Sequence, residues 1–394
     1  MKIAYILTDF PSLTETFASR EIEGLRRWGA DVEILAAGGD VRVEGCTYRP
    51  ERWSWCAISS ILYMLRAYPL APLRYMGILA RFLFSCPREA LTLLGNLHTA
   101  AFFCRRLDDK QIRHVHAYFL SWPACVALAV AKISGRRFSI AAHARDIFVE
   151  SGATAYKVKN ALFVTVCSQQ GLGHLKKLLP PCLHNKLRLV RHGVETSFTA
   201  LPPKGCGTRQ ARVLAIGRLV PKKGFEFLVR AFGKVAARCP GAKLTIVGEG
   251  PEEGRLKELI RKLGLKDSTH LAGRRQHEEV MSMLAESAVL VVPSVVSEDG
   301  DRDGVPNVIL EALACGVPVI ASRLEGIEEA VQHNQTGLLV RPGDIDELAE
   351  ATTLLLADEE LRERLAAKAK EVVSECFDAE TNTPKLAAIF EGWE

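Results

Sequence analysis

Nowhere in the 394-residue chain does an uncharged apolar run reach about 20 residues; the nearest, Ala117–Ala131, contains Pro123, so no transmembrane helix is expected. Met1–Leu7 is too short, and too soon followed by Asp9, to act as a signal peptide. The eleven cysteines form no C-x-x-C, which argues against a zinc cluster or a redox dithiol. Scattered singly, odd in number and mostly flanked by apolar residues, they fit a reduced, intracellular protein. The first strand runs into Asp9-Phe10-Pro11-Ser12 with no G-x-G-x-x-G, which disfavours a dinucleotide oxidoreductase. No nucleic-acid reader motif is recognisable, so no nucleic-acid partner is expected. At 48% hydrophobic and 25% charged residues the composition is globular, which excludes disorder, collagen and a disulfide-stapled mini-domain.

What is present is length enough for two or three units, each with its own core. The net charge of +5 hides an asymmetry: residues 1–195 carry +11 and residues 196–394 carry −6. A basic front half favours an anionic partner there. Lys2–Thr8 is a short apolar run rich in β-formers, Thr16–Trp28 has helical spacing closed by Gly29, and Asp31–Ala36 is a second apolar run. This β-α-β alternation continues through His114–Phe119, Ser139–Ala142, Phe163–Cys167 and Leu187–Val190. After the Pro/Gly-rich segment Leu201–Gly207 a second series begins, with strands at Val213–Ile216, Lys243–Val247, Thr269–Leu271, Val289–Val292, Pro318–Ala321 and Gly337–Val340. The helix Phe225–Arg238 keeps Phe225, Leu228, Val229, Phe232 and Val235 on one stripe. The expected fold is α/β, with two doubly wound Rossmann-like domains facing across a cleft. Ligands of such sheets bind at the carboxyl ends of the strands. The domains are placed at 1–200 and 201–375, with a C-terminal helix in 376–394 packing back on the first.

Thr47–Leu107 does not fit the alternation. It is apolar and aromatic, and it carries eight arginines against only Glu51 and Glu89. Two readings are open: a helix lying in an anionic lipid interface, or a helical subdomain packed on the sheet with solvated arginines.

Three constellations carry chemistry. Gly217-Arg218-Leu219-Val220-Pro221-Lys222-Lys223-Gly224 lies between a strand and a helix, where cations and helix amides can reach a diphosphate; an ordinary basic turn is the plainer alternative. Asp299-Gly300-Asp301-Arg302-Asp303-Gly304 opens like a calcium loop, but the twelfth position is Leu310 rather than Glu, so that reading fails. Taking Pro306 as the first helical residue instead leaves the Asn307 and Val308 amides free for a phosphate. Asp303 and Glu311, eight positions apart, can then hold two sugars flanking that diphosphate through vicinal diols. Glu311 sits among small apolar residues, which argues for a buried, employed carboxylate. Last, His143 follows the apolar strand Ser139–Ala142 and can donate to a substrate hydroxyl or leaving oxygen, although a lone His is more often structural.

G-R-L-x-x-K-K-G after a strand, V-G-x-G-P at Val247–Pro251, the acid-x7-E from Asp303 to Glu311, E-A-L-A-x-G-V-P-V-I and T-G-L-L-V form one ordered set. Together they closely resemble the retaining family 4 glycosyltransferases of the GT-B fold, over nearly the whole chain. D-F-P-S-L-T-E-T-F, E-I-E-G-L-R-R-W-G, H-A-Y-F and H-A-R-D-I-F resemble the subgroup that builds bacterial exopolysaccharide of the colanic-acid type. The resemblance implies that Arg218 and Lys223 bind the donor diphosphate, that Glu311 holds the ribose, and that Asp303 faces the donor sugar with Gly304 and Pro306. It places His143 by the reacting sugar, Pro11, Ser12, Glu15 and Thr16 on the acceptor side, and Gly273 and Arg274 at the nucleotide base; Gly248 joins the donor site. Two departures stand out: the first acid is Asp303 rather than Glu, and the loop after the first strand lacks a Gly-Gly pair.

The expectation is therefore a metal-independent, retaining hexosyltransferase without a resident cofactor. Its donor is a UDP- or GDP-sugar and its acceptor a lipid-linked or polysaccharide glycan. It is placed in the cytoplasm, peripheral on the inner face of the cytoplasmic membrane. A GT-B sugar-nucleotide epimerase and a non-catalytic sugar-nucleotide-binding scaffold are the alternatives.

Overall fold

The structure, a computed structural model, describes residues 1–12, 16–39, 41–149, 153–194 and 211–393. The chain divides into two compact units, Met1–Arg191 with Thr383–Glu394, and His192–Asn382. The expected boundaries at 200/201 and 376 are thus displaced, and the expected linker Leu201–Gly207 lies outside the described residues.

In the first unit the elements run β1 (Lys2–Asp9), α1 (Thr16–Arg27), β2 (Asp31–Gly38), β3 (Cys46–Tyr48), α2 (Trp55–Ala67), α3 (Ala71–Ser85) and α4 (Pro87–Asp109). They continue with β4 (His114–Tyr118), α5 (Trp122–Ser134), β5 (Arg137–Ala142), α6 (Ala144–Phe148), α7 (Thr154–Asn160), β6 (Val164–Val166), α8 (Gln169–Leu178) and β7 (Leu187–Leu189). The sheet is parallel in the order β3-β2-β1-β4-β5-β6-β7. Successive β1 side chains point to opposite faces, and both faces are covered. Ala4 and Ile6 join a core with α4 and α5, while Ile3, Tyr5 and Leu7 join one with α1 and with Leu386, Ala387 and Phe390 from the end of the chain. Burial on both sides is why such strands read as unbroken apolar runs. Gly29, at φ +94°, turns the chain from α1 into β2 in a conformation that side chains rarely adopt.

The segment expected as an insertion from Thr47 is only partly one. Cys46–Tyr48 pairs with β2 as the edge strand, and the later part of α4 is buried through Phe103, Cys104 and Leu107 beneath α5.

The second unit runs β8 (Arg212–Ile216), α9 (Phe225–Arg238), β9 (Lys243–Val247), α10 (Glu253–Lys262), β10 (Thr269–Gly273), α11 (His277–Ala285) and β11 (Val289–Val292). It ends with α12 (Asn307–Ala314), β12 (Val319–Ser322), β13 (Gly337–Val340), α13 (Ile345–Ala357), α14 (Glu359–Cys376) and α15 (Ala379–Glu391), whose last turns belong to the first unit. Its parallel sheet has the order β10-β9-β8-β11-β12-β13. The strand order reverses between β8 and β11. In an open parallel sheet the loops leaving such a pair diverge to opposite faces and open a crevice at their carboxyl ends.

Candidate active site

The two loops at the second unit's switch point are residues 217–224, after β8, and residues 293–306, after β11. They are the two segments in which the basic and acidic motifs lie. Their backbones are in contact: the Val295 amide donates to the Lys222 carbonyl at 2.8 Å. A Cβ on Gly224, at φ +65°, would lie 2.0 Å from the Pro293 carbonyl oxygen, so only glycine permits this approach.

Across this contact lies a buried charge network. Lys223 Nζ donates to Asp303 Oδ2 at 2.7 Å, and Ser294 Oγ donates to the same oxygen at 2.6 Å. Lys222 Nζ donates to Asp301 Oδ1 at 3.0 Å and lies 3.7 Å from Asp303 Oδ1. Burial alone would push the Asp303 carboxyl up; the Lys223 and Lys222 charges and the two hydrogen bonds outweigh it and hold the group below the usual carboxylate range. Asp301 and Asp303 are therefore matched to two ammonium groups, which is what the D-x-D-x-D-G spacing serves here.

The resemblance assigned Lys223 to the diphosphate and Asp303 to the sugar, as separate contacts; the structure joins them to each other. Arg218 is exposed, and its side chain makes no hydrogen bond or ion pair among the described residues. Pro306 is the residue before the helix rather than its first residue, with an extended ψ of 132°, and α12 opens at Asn307. The shift is one position, and either position tolerates the missing N–H. Ile309 donates to the Pro306 carbonyl, which starts the helical ladder beyond Asn307 and Val308. Gly304 and Asn307 are half-buried, and Val308 and Glu311 are buried.

Gly217, Gly248 and Gly273 stand at three neighbouring strand ends. The Gly217 amide donates to Val247 and the Gly248 amide to Gly273, each at 2.9 Å. Gly248, at φ +141°, leaves no room for a side chain, since a Cβ would sit 1.9 Å from the Gly217 carbonyl oxygen. Arg274 follows on the surface.

In the first unit, Ser12 and His143 follow the carboxyl ends of β1 and β5. His143 is buried, and its amide donates to Asp146 Oδ1 at 2.8 Å. Its ring packs against Phe119, Tyr118 and Phe17, with centroids 4.7, 4.8 and 5.2 Å away. Glu15 lies outside the described residues, and Thr16 opens α1. The sequence reading missed Glu21: its carboxylate accepts from Tyr5 at 2.8 Å and Tyr118 at 3.3 Å. Burial pushes it up to about 7, against the opposing pull of those two hydrogen bonds. It also missed Lys222, Asp301 and Ser294. The signal available for them was two adjacent lysines and two aspartates spaced i, i+2, in loops later shown to touch.

Two parallel doubly wound sheets, each with its own core, make up the GT-B fold. Solved structures with this fold align over the whole chain. Sucrose-phosphate synthase from Thermosynechococcus elongatus covers 100% of this chain and 98% of its own, with TM-score 0.74 and 21% identity. Anabaena HepE in complex with UDP-glucose covers 100% of both, with TM-score 0.71 and 18% identity. Residues 202–372 match the family described as glycosyl transferases group 1. Among curated proteins, one of Salmonella typhimurium named for colanic acid biosynthesis, WcaL, is 27% identical over 99% of this chain and 100% of its own length. The amylovoran biosynthesis glycosyltransferase AmsK of Erwinia amylovora is 33% identical over 53% of this chain and 52% of its own.

Proposed function

We propose that this chain is a glycosyltransferase of exopolysaccharide biosynthesis, moving a sugar with retention of anomeric configuration from a nucleotide-diphosphate donor to a lipid-linked or polysaccharide acceptor. The observation that carries the reading is the meeting of residues 217–224 with residues 293–306 at the second unit's switch point. The names of the similar proteins support the pathway, and UDP-glucose in the HepE structure supports a nucleotide-sugar donor.

Transfer breaks the bond between the sugar's anomeric carbon and the diphosphate oxygen, and the bonding pair stays with the diphosphate. The acceptor oxygen bonds to the same carbon and gives up its proton, which the departing diphosphate oxygen takes. Negative charge therefore grows on the leaving group, and fixed cations and amide dipoles lower its energy. In this reading Arg218 supplies a charge with no competing side-chain partner among the described residues, and Lys223 exchanges part of its bond to Asp303 for the diphosphate. The amides that open α12 add to both, and these groups do the work that a metal ion would otherwise do. Asp303, relieved of part of its ion pair, faces the donor sugar, and Glu311 takes the ribose. Gly304 and Pro306 shape the loop around the sugar, and Gly273 and Arg274 edge the base. His143 and Ser12 are assigned to the reacting sugar and the acceptor. The acceptor is taken from an anionic membrane surface on the cytoplasmic side, which the basic first half suits.

The test begins with UDP-, GDP- and ADP-sugars screened for thermal stabilisation, since a ligand of the folded state raises its melting temperature. Transfer is then measured with the donor found. Lys223→Ala and Glu311→Ala are each expected to abolish most of it, and near-native transfer by either would overturn the site. Donor turnover without any acceptor would favour an epimerase, and binding without turnover a scaffold.

A further inference from the structure

We propose that the outer face of α2, α3 and the start of α4 docks flat on an anionic lipid bilayer; this rests on the membrane part of the reading above. Twelve of the nineteen exposed large apolar side chains among the described residues lie between positions 53 and 94. Phe84 is 93% exposed, Trp53 82%, Trp55 78% and Leu73 73%, values that a water-facing surface does not favour in such density.

Their spacing makes a face. On α2 the exposed residues Trp55, Ile58, Leu62 and Leu65 recur at helical period, while Ala57, Ser60 and Met64 point inward. On α3, Leu73, Met76, Leu83 and Phe84 are outward, and Tyr75, Ile78, Leu79 and Phe82 are part of the sheet's core. Each helix is thus apolar on both sides, one for the protein and one with nothing against it among the described residues.

The helices lie on a membrane and do not cross it. No single helix among the described residues is long and apolar enough to span a bilayer, and α2 and α3 meet at 108°. At 1.5 Å per residue they reach only about 20 Å each, against a hydrocarbon core of about 30 Å.

Charge selects the occupant. Arg52, Arg66, Arg74, Arg81 and Arg88 are exposed along this face and make no ion pair among the described residues; Arg81 lies over the Tyr156 ring at 4.6 Å. Of the two acids nearby, Glu89 faces the buried Lys157. A second copy of the chain would bring arginine against arginine, whereas anionic headgroups neutralise them while acyl chains take the apolar stripe.

The experiment sediments the full chain with vesicles of phosphatidylglycerol mixed with phosphatidylcholine, and with phosphatidylcholine alone, at low and high salt. Brominated lipids report contact through tryptophan quenching. Binding is expected only to the anionic vesicles and to weaken with salt. Leu73→Ser/Phe84→Ser and Arg74→Gln/Arg88→Gln change outward side chains, and each pair is expected to lower binding about tenfold or more with an unaltered melting temperature. Trp53→Phe/Trp55→Phe is expected to remove most of the quenching. If the wild type binds but these variants bind equally well, the face is wrong and the membrane reading stands. If the wild type ignores anionic vesicles, both fall. A dimer dissolved by Leu73→Ser/Phe84→Ser, with no vesicle binding, makes the occupant a second copy and overturns the proposal.

Discussion

Lys223 and Asp303, eighty residues apart in the chain, meet at 2.7 Å across the second unit's switch point. The pair gives Arg218 and Lys223 different energetics although both are cations of one loop.

Arg218 is exposed and its side chain bonds to nothing among the described residues, so truncating it leaves the fold as it was. Arg218→Ala is expected to keep the wild-type melting temperature within a degree or two while donor turnover falls roughly 100- to 1000-fold. Lys223→Ala is expected to show a comparable loss together with a destabilisation of about 3 kcal/mol, because it leaves the buried Asp303 with the Ser294 hydrogen bond and the more distant Lys222 charge. Urea melts beside steady-state rates check both. Equal destabilisation by the two variants would refute the distinction.

Lys222 and Asp301 form the second buried pair, at 3.0 Å. Removing one member leaves the other's charge away from water without this ion pair, while removing both removes both charges. Asp301→Asn and Lys222→Met are each expected to cost about 3–5 kcal/mol. The double variant Lys222→Met/Asp301→Leu is expected to cost much less than the sum, as a double-mutant cycle in urea would measure. Additive losses would mean that the pair does not couple the two loops.

The fold class was legible because strands covered on both faces must be apolar throughout, and Val289–Val292 or Gly337–Val340 admit little else. Cys46–Tyr48 was not, since three residues at a sheet edge carry too little pattern to separate from the helices that follow. The motif loops were legible as strand–helix junctions, since glycines and charges cluster there. Their pairing was not. Nothing local distinguishes Lys222, committed to Asp301, from Lys223 beside it, because the choice is made by a loop about 80 residues away. Glu21 escaped notice for the same reason: its tyrosine partners come from β1 and β4, which only the sheet brings together.

Gly248 tests the packing of the strand ends. With φ at +141° and the Gly217 carbonyl oxygen 1.9 Å from where a Cβ would stand, Gly248→Ala forces β8 and β9 apart at their carboxyl ends. A loss of about 3 kcal/mol or more is expected, together with weaker donor binding. Gly254, exposed inside α10 with nothing within 4 Å, is the control. There Gly254→Ala is expected to stabilise by about 0.5–1 kcal/mol through helix propensity. Thermal melts of the two variants separate steric from conformational effects.

Glu21 makes the first unit's stability depend on pH near neutrality. Its carboxyl titrates at about 7 when folded, against an ordinary value of 4.5. Between these values the folded chain holds a proton that the unfolded chain has released. The contribution is therefore complete below pH 4.5, declines as pH rises, and is gone above about 7. On the order of 1–3 kcal/mol is involved. Glu21→Gln keeps an acceptor for Tyr5 and Tyr118 but cannot ionise. Its melting temperature relative to wild type is expected to rise from about pH 5 to about pH 7 and then level off. A gap constant across that range would show that Glu21 is already ionised at pH 5, and that its two tyrosine bonds, rather than its burial, set its charge.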